Sequence, residues 1–234
     1  YELLEGTETI ARALGRAGYA TCCVGKWGLG GPGSTGTPNK QGFDHFYGYN
    51  CQRNAHNYYP THLVRNDDRV TLEGNNRGLT GEQYAPDLMA DEMLGWVRAH
   101  ADEPFFLYFA TPVPHLALQV PEDSLAPYRG NWEDAPYPGG QGYLKHNEPR
   151  SAYAGMVTRF DRDVGRLMSL LEKLGVADNT FVLLTSDNGS TFDLGGYDPE
   201  FFDGTGGHRG FKTNLYEGGI RVPMIASWPG VIEA

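Results

Sequence analysis

Seven side chains in this sequence are suited to handling an anion or a hard cation. Asp187 and Asn188 stand together in Ser-Asp-Asn-Gly, directly after the apolar run 181–184. A carboxylate beside a carboxamide offers the hard oxygen donors that suit Ca²⁺ or Mg²⁺ better than Zn²⁺. The same residues also spell a turn, because Asp, Asn and Gly bond their own main chain and tolerate left-handed backbone angles. Two ligands are too few for such an ion, so further ones would come from elsewhere. Lys26 follows an apolar stretch and opens a glycine-rich loop that can approach a ligand closely, although most such lysines are solvated surface charges. His115 lies just past the run 104–110, on a loop fixed by Pro112 and Pro114. His56 and Arg53 belong to the aromatic stretch 42–60, where they line a pocket or bond nearby carbonyls. Lys212 sits on the loop side of the stretch 210–223.

The elements that must hold these residues are legible from periodicity. Residues 181–184 carry no polar alternation, the pattern of a strand buried on both faces in a parallel sheet. A helical pattern over 152–174 precedes it and ends at Gly175, with Pro149 suited to the first helical turn. Helix followed by buried strand is half of a βαβ unit. In open α/β sheets, ligands gather beyond the carboxyl ends of the strands, which is where Asp187 and Asn188 fall. Met156, Val157, Phe160, Val164, Leu167, Leu171 and Leu174 form the core stripe of this helix, and Asp161 and Asp163 its polar side. A second helix is expected over 86–100, with Leu88, Met89, Met93, Trp96 and Val97 inward. A third is expected from Glu8 to about Ala17, capped by Thr7, with Ile10, Ala11, Leu14 and Ala17 on one face. Strands are expected over 19–24, 104–110 and 224–227. The stretch 42–60 reads as a packed loop, 66–81 as an exposed excursion, and 127–147 as a long ordered insertion.

Composition excludes several classes. The chain has 234 residues, 40% hydrophobic and 21% charged, with 32 Gly and 15 Pro, so long structured loops are expected. A net charge of −10 argues against nucleic acid and anionic membranes as partners, though not against one basic cleft. No apolar run approaches the length that spans a bilayer. Cys22, Cys23 and Cys51 give neither a disulfide framework nor a zinc spacing. Gly28, Gly30 and Gly33 match GxGxxG, but Pro32 and Pro38 follow, so no helix starts there to hold a pyrophosphate. No GxSxG elbow occurs.

Four stretches then stand in a telling order: Gly25-Lys26-Trp27-Gly28-Leu29-Gly30, Pro114-His115, Thr185-Ser-Asp-Asn-Gly189, and Lys212 within Gly-Phe-Lys-Thr-Asn-Leu-Tyr-Glu-Gly-Gly-Ile-Arg-Val-Pro. Together they resemble the type I, formylglycine-dependent, arylsulfatase-like sulfatases of the alkaline-phosphatase superfamily. The resemblance implies an α/β fold, an alkaline-phosphatase-like, mostly parallel central sheet flanked by helices, with long loops. It implies that Asp187 and Asn188 bind one divalent ion, Ca²⁺ with Mg²⁺ as the alternative. It makes Lys26 and Lys212 sulfate contacts and His115 a histidine at the leaving-group oxygen. The substrate would be a small-molecule or glycan sulfate ester, and the compartment periplasmic or extracellular.

Two departures from that pattern matter. The residue after Gly-Lys-Trp in this family is usually His, which assists the formylglycine diol; here it is Gly28, and His56 is the candidate to take part of that work. The family's Cys-x-Pro-x-Arg nucleophile motif is missing, since none of the three cysteines has that context. The whole chain 1–234 therefore reads as part of a sulfatase catalytic domain. The nucleophile segment, the formylglycine and the remaining acidic metal ligands are expected upstream, and a C-terminal subdomain downstream. No turnover is expected of this segment alone. Two alternatives stand beside this reading: a phosphodiesterase or phosphatase of the same superfamily, and a non-catalytic anion-binding remnant.

Overall fold

The computed structural model describes residues 2–233. Five strands, β1 (Ala20–Lys26), β2 (His45–Tyr49), β3 (His62–Arg65), β4 (Asp68–Thr71) and β5 (Phe105–Ala110), form one sheet in the order β4-β3-β2-β1-β5. Its centre is parallel: β1 pairs with both β2 and β5. The β2–β3 and β3–β4 pairs are antiparallel and finish one edge. In the hairpin at that edge, β4 lies inside the stretch 66–81 that the sequence suggested was an exposed excursion, and β3 lies just before it, where no element was expected. β2 also lies inside the aromatic stretch, and four of its five residues are buried.

Helices cover both faces. On one side α1 (Ile10–Arg16) is capped by Thr9, whose hydroxyl accepts from the amide of Arg12 at 3.2 Å. Thr7 instead donates to the carbonyl of Leu4. Of the face expected to be buried, Ala11 is buried, whereas Ile10 is largely exposed. Ala11 packs with Cys23, Trp27, Phe43 and Phe46. On the other side α2 (Ala85–Ala99) and a long helix cover the sheet. After the one-turn α3 (Glu122–Leu125), that helix, α4 (Pro149–Lys173), carries Leu170 and Leu171 into a core with Met89, Met93, Trp96, Val24 and Tyr49. Asp163 was expected on the polar side of α4 but is buried, held by Arg162 at 2.8 Å and Arg166 at 3.2 Å.

Beyond α4, β6 (Val182–Thr185) and, after the short α5 (Glu217–Ile220), β7 (Met224–Ser227) pair antiparallel as a separate two-stranded sheet. This corrects the expectation of a parallel strand buried on both faces. The burial of β6 alternates, with Leu183 and the preceding Phe181 each about half exposed. β5 is likewise less buried than its apolar sequence suggested, and Tyr108 is 47% exposed. Among the described residues, β5 has no partner on its side away from β1.

Candidate active site

The candidate residues stand where the strands end. Lys26 is the last residue of β1, paired in register with Tyr49, the last of β2. Ala110, the last residue of β5, pairs with Gly25. The loops carrying His56 and His115 therefore leave the sheet beside Lys26. Gly25 lies at φ 133°, and a Cβ there would sit 2.0 Å from the carbonyl oxygen of Ala110, so only glycine admits this approach. Trp27 is structural: its buried indole donates to the Gly36 carbonyl at 2.8 Å and meets Phe43 edge-on. Asp187 and Asn188 follow the last residue of β6.

Two buried side chains clamp the histidine loops together. The Tyr58 hydroxyl reaches the carbonyls of His115 at 2.6 Å and Pro112 at 3.0 Å. Gln119, fully buried, accepts from the amide of Tyr58 at 2.8 Å, and its own carbonyl accepts from the Tyr84 hydroxyl. The imidazoles of His56 and His115 stack as a result, with centroids 5.2 Å apart and planes 18° from parallel. Tyr143, from the long insertion, packs on His56 at 5.7 Å.

A second clamp positions Lys212. Its amide donates to the Ser190 carbonyl at 2.7 Å, and the amide of Gly189 donates to Gly219 at 2.9 Å. A Cβ on Gly189 would lie 2.2 Å from the carbonyl oxygen of Gly218. The loop with Asp187 and Asn188 is thereby pressed against the loop with Lys212.

The charges of these side chains act on one another. Burial pushes the Lys26 ammonium down, Asp187 pulls it back, and Lys212 pushes it down further. Burial also lowers His56, followed by the charges of Lys26, Lys212 and Arg77. His115 is pushed down to about 4, first by burial and then, against a bond to the Leu116 carbonyl, by Lys212, Lys26 and His56. At neutral pH both imidazoles are uncharged, and two ammonium groups face them. One carboxylate, Asp187, acts on Lys26. The result is a locally positive region in an acidic protein, of the sign that attracts a small anion.

The oxygens of Asp187 and Asn188 suit a hard cation, and the Asn188 amide group donates to the Asp187 carboxylate. Ca²⁺ takes roughly six to eight oxygen ligands, so the pair makes up part of such a site. Among the described residues no group of three or more His, Cys, Asp or Glu could hold a metal ion. Gly28, where a histidine was expected, is crowded: a Cβ there would lie 3.1 Å from Oε1 of Gln52. Gln52 belongs to the same loop as His56, so the chain fills that space from a different segment. Tyr143 and Arg77 were not singled out from the sequence, because each comes from a polar or irregular stretch without periodic signal.

The fold is the alkaline-phosphatase-like α/β arrangement, with Lys26 at the end of its central strand. The sulfatase family model matches residues 2–234, and the chain belongs to the sulfatase family. N-acetylgalactosamine-6-sulfatase of Homo sapiens is 31% identical over 98% of this chain and 41% of its own length. N-acetylgalactosamine-6-O-sulfatase of Bacteroides thetaiotaomicron is 28% identical over 96% of this chain and 52% of its own length. The crystal structure of Ps i-CgsB in complex with k-i-k-neocarrahexaose superposes with a TM-score of 0.75 at 29% identity, covering 94% of this chain and 47% of that one. The chain thus spans about half the length, or less, of these relatives.

Proposed function

We propose that this chain is the central part of a sulfatase catalytic domain that hydrolyses a glycan sulfate ester in the periplasm or outside the cell. The observation that carries the reading is the cluster of Lys26, Lys212, His56 and His115 at the strand ends, with Asp187 and Asn188 beside it. Sulfate-ester cleavage keeps negative charge on the sulfuryl oxygens and moves more onto the leaving oxygen. Preorganised cations in a partly dry site stabilise that charge as it develops. Lys26 and Lys212 take the sulfuryl oxygens. His115 is held neutral at pH 7 first by burial and then by the lysine charges, and a bound anion offsets the second of these. A proton then becomes available at His115 for the leaving oxygen. His56, stacked on His115 and filling in for the residue absent at Gly28, acts as the second proton-handling group.

A bound Ca²⁺ held by Asp187 and Asn188 with further ligands would supply charge neutralisation, and a formylglycine would supply the nucleophile. Neither group belongs to this chain's own side chains. The edges of β5 and β6 that are unpaired among the described residues, and the half-exposed Tyr108, Phe181 and Leu183, support a further strand there, consistent with relatives about twice as long. Glycan rather than aryl substrates are favoured by the relatives, one of which was solved in complex with k-i-k-neocarrahexaose.

The test is turnover by the full-length protein containing this segment. The expected result is release of sulfate from a sulfated glycan and from an aryl sulfate, at a kcat/KM at least a hundredfold above that for the matching aryl phosphate. Equal or greater activity on the phosphate would move the assignment to phosphoryl chemistry. No turnover of either ester, with sulfate still binding, would favour the anion-binding remnant.

A further inference from the structure

Arg77 is built into the site in a way that catalysis as described leaves unused. Its guanidinium donates to Oδ1 of Asn54, which shares with His56 the single helical turn Asn54–His56. Its charge reaches His56. Among the described residues no carboxylate lies within ion-pair distance of it, and the same holds for Arg53 at the head of that turn. Both residues are exposed.

The backbone under Arg77 is equally deliberate. It adopts φ +64°, a left-handed conformation that costs a non-glycine residue roughly 1–2 kcal/mol. Three bonds hold it there. Its amide donates to Tyr59 at 3.1 Å, its carbonyl accepts from Nδ2 of Asn57 at 3.0 Å, and the next carbonyl, of Gly78, accepts from Nε2 of Gln119 at 2.7 Å. Asn57 and Gln119 are buried and belong to the loops that carry His56 and His115. Arg77 is thus fixed to the same frame as the sulfate pocket. Strained positions of this kind persist where the surroundings over-determine them.

We propose that Arg77, with Arg53 adjoining its partner Asn54 in sequence, forms a second anion subsite next to the sulfate site, and that the preferred substrate carries a second anionic group near the scissile sulfate. A planar guanidinium with free donors binds sulfate or carboxylate in two-point fashion. A chain of net charge −10 needs such a local positive region to draw in a polyanion. The second group is a sulfate or a uronate carboxylate on the same or the neighbouring sugar. This inference rests on the sulfate-ester reading of the pocket.

The experiment uses the full-length protein, 4-nitrophenyl sulfate, and glycosaminoglycan disaccharides with one sulfate, two sulfates, or one sulfate plus a carboxylate. Arg77→Ala is expected to lower kcat/KM on the doubly anionic disaccharides at least tenfold, mainly through KM, and on the singly charged probes threefold or less. Arg77→Lys should recover part of the loss. Whichever disaccharide loses more identifies the second group. Arg69→Ala, which removes the same charge from the exposed strand β4, should leave the preference intact. A loss of equal size on every probe would make Arg77 merely a prop for the His56 turn and overturn the proposal, as would no selective loss. Should the protein turn over no sulfate ester at all, the preceding reading fails by itself. Calorimetric binding of the same disaccharides to wild type and Arg77→Ala then decides the subsite: selective weakening supports it and unchanged binding overturns it.

Discussion

Two charged regions of this molecule are built on opposite plans. Between α2 and α4, Arg159 grips Asp87 with two nitrogens and reaches Asp123 at 2.7 Å, Arg162 bridges Asp87 and Asp163, and Arg166 joins Asp163 to Asp91 at 2.6 Å. Each arginine there has its carboxylates. At the strand ends, Lys26 and Lys212 face two neutral imidazoles, and the cations repel one another. The first arrangement satisfies itself and makes one face of the fold. The second has one carboxylate, Asp187, acting on Lys26, and a ligand of opposite charge would complete it. Perturbed groups in a cleft point to function; here the contrast with a saturated network of similar charge density adds weight to that inference.

The comparison can be broken at either end. The largest effect is expected at Lys26. Lys26→Ala should lower sulfate-ester kcat by roughly 100- to 1,000-fold, as removal of one preorganised charge-stabilising donor does, with thermal stability equal to or above wild type. A large fall in stability would assign Lys26 to structure instead. Next is Arg159→Met, which leaves Asp87 and Asp123 short of their partner. A loss of roughly 2–3 kcal/mol in denaturant unfolding is expected, with KM for the sulfate ester within twofold of wild type. The smallest effect concerns acid. His115 is held below its unfolded value, so between about pH 6.5 and 4 the unfolded chain takes up a proton that the folded chain refuses. Stability therefore falls as pH drops through that window, by on the order of 2 kcal/mol. In His115→Asn that part of the slope should vanish; an identical slope would show that His115 carries no such penalty.

Much of this was legible in the sequence, for physical reasons that also explain the gaps. α2 and α4 announce themselves through long 3.6-residue stripes, and their bounds fall close to those expected. The positions of Lys26, His115 and Asp187 after apolar runs placed them at strand ends, because a buried run must stop where the chain meets solvent. β2 was hidden because Phe46, Tyr47 and Tyr49 are all buried, so its five residues show no alternation. β3 and β4 form an edge hairpin with polar residues on both faces, which resembles a loop. Asp163 looked solvent-facing because its partners, Arg162 and Arg166, are invisible to a hydrophobicity pattern. The pairing of β6 with β7 is a long-range choice that local periodicity does not encode. Arg77 and Tyr143 reach the site only through tertiary contacts of loops.

The central claim is that the strand-end pocket is an unneutralised positive site awaiting sulfate. Its most direct test is an NMR titration of the histidine side chains in the full-length protein, with and without inorganic sulfate. The account predicts that His115 titrates near pH 4 in the free protein, that His56 also titrates below its ordinary value, and that sulfate raises both. Titration of His115 near 6.5, unmoved by sulfate, would contradict it.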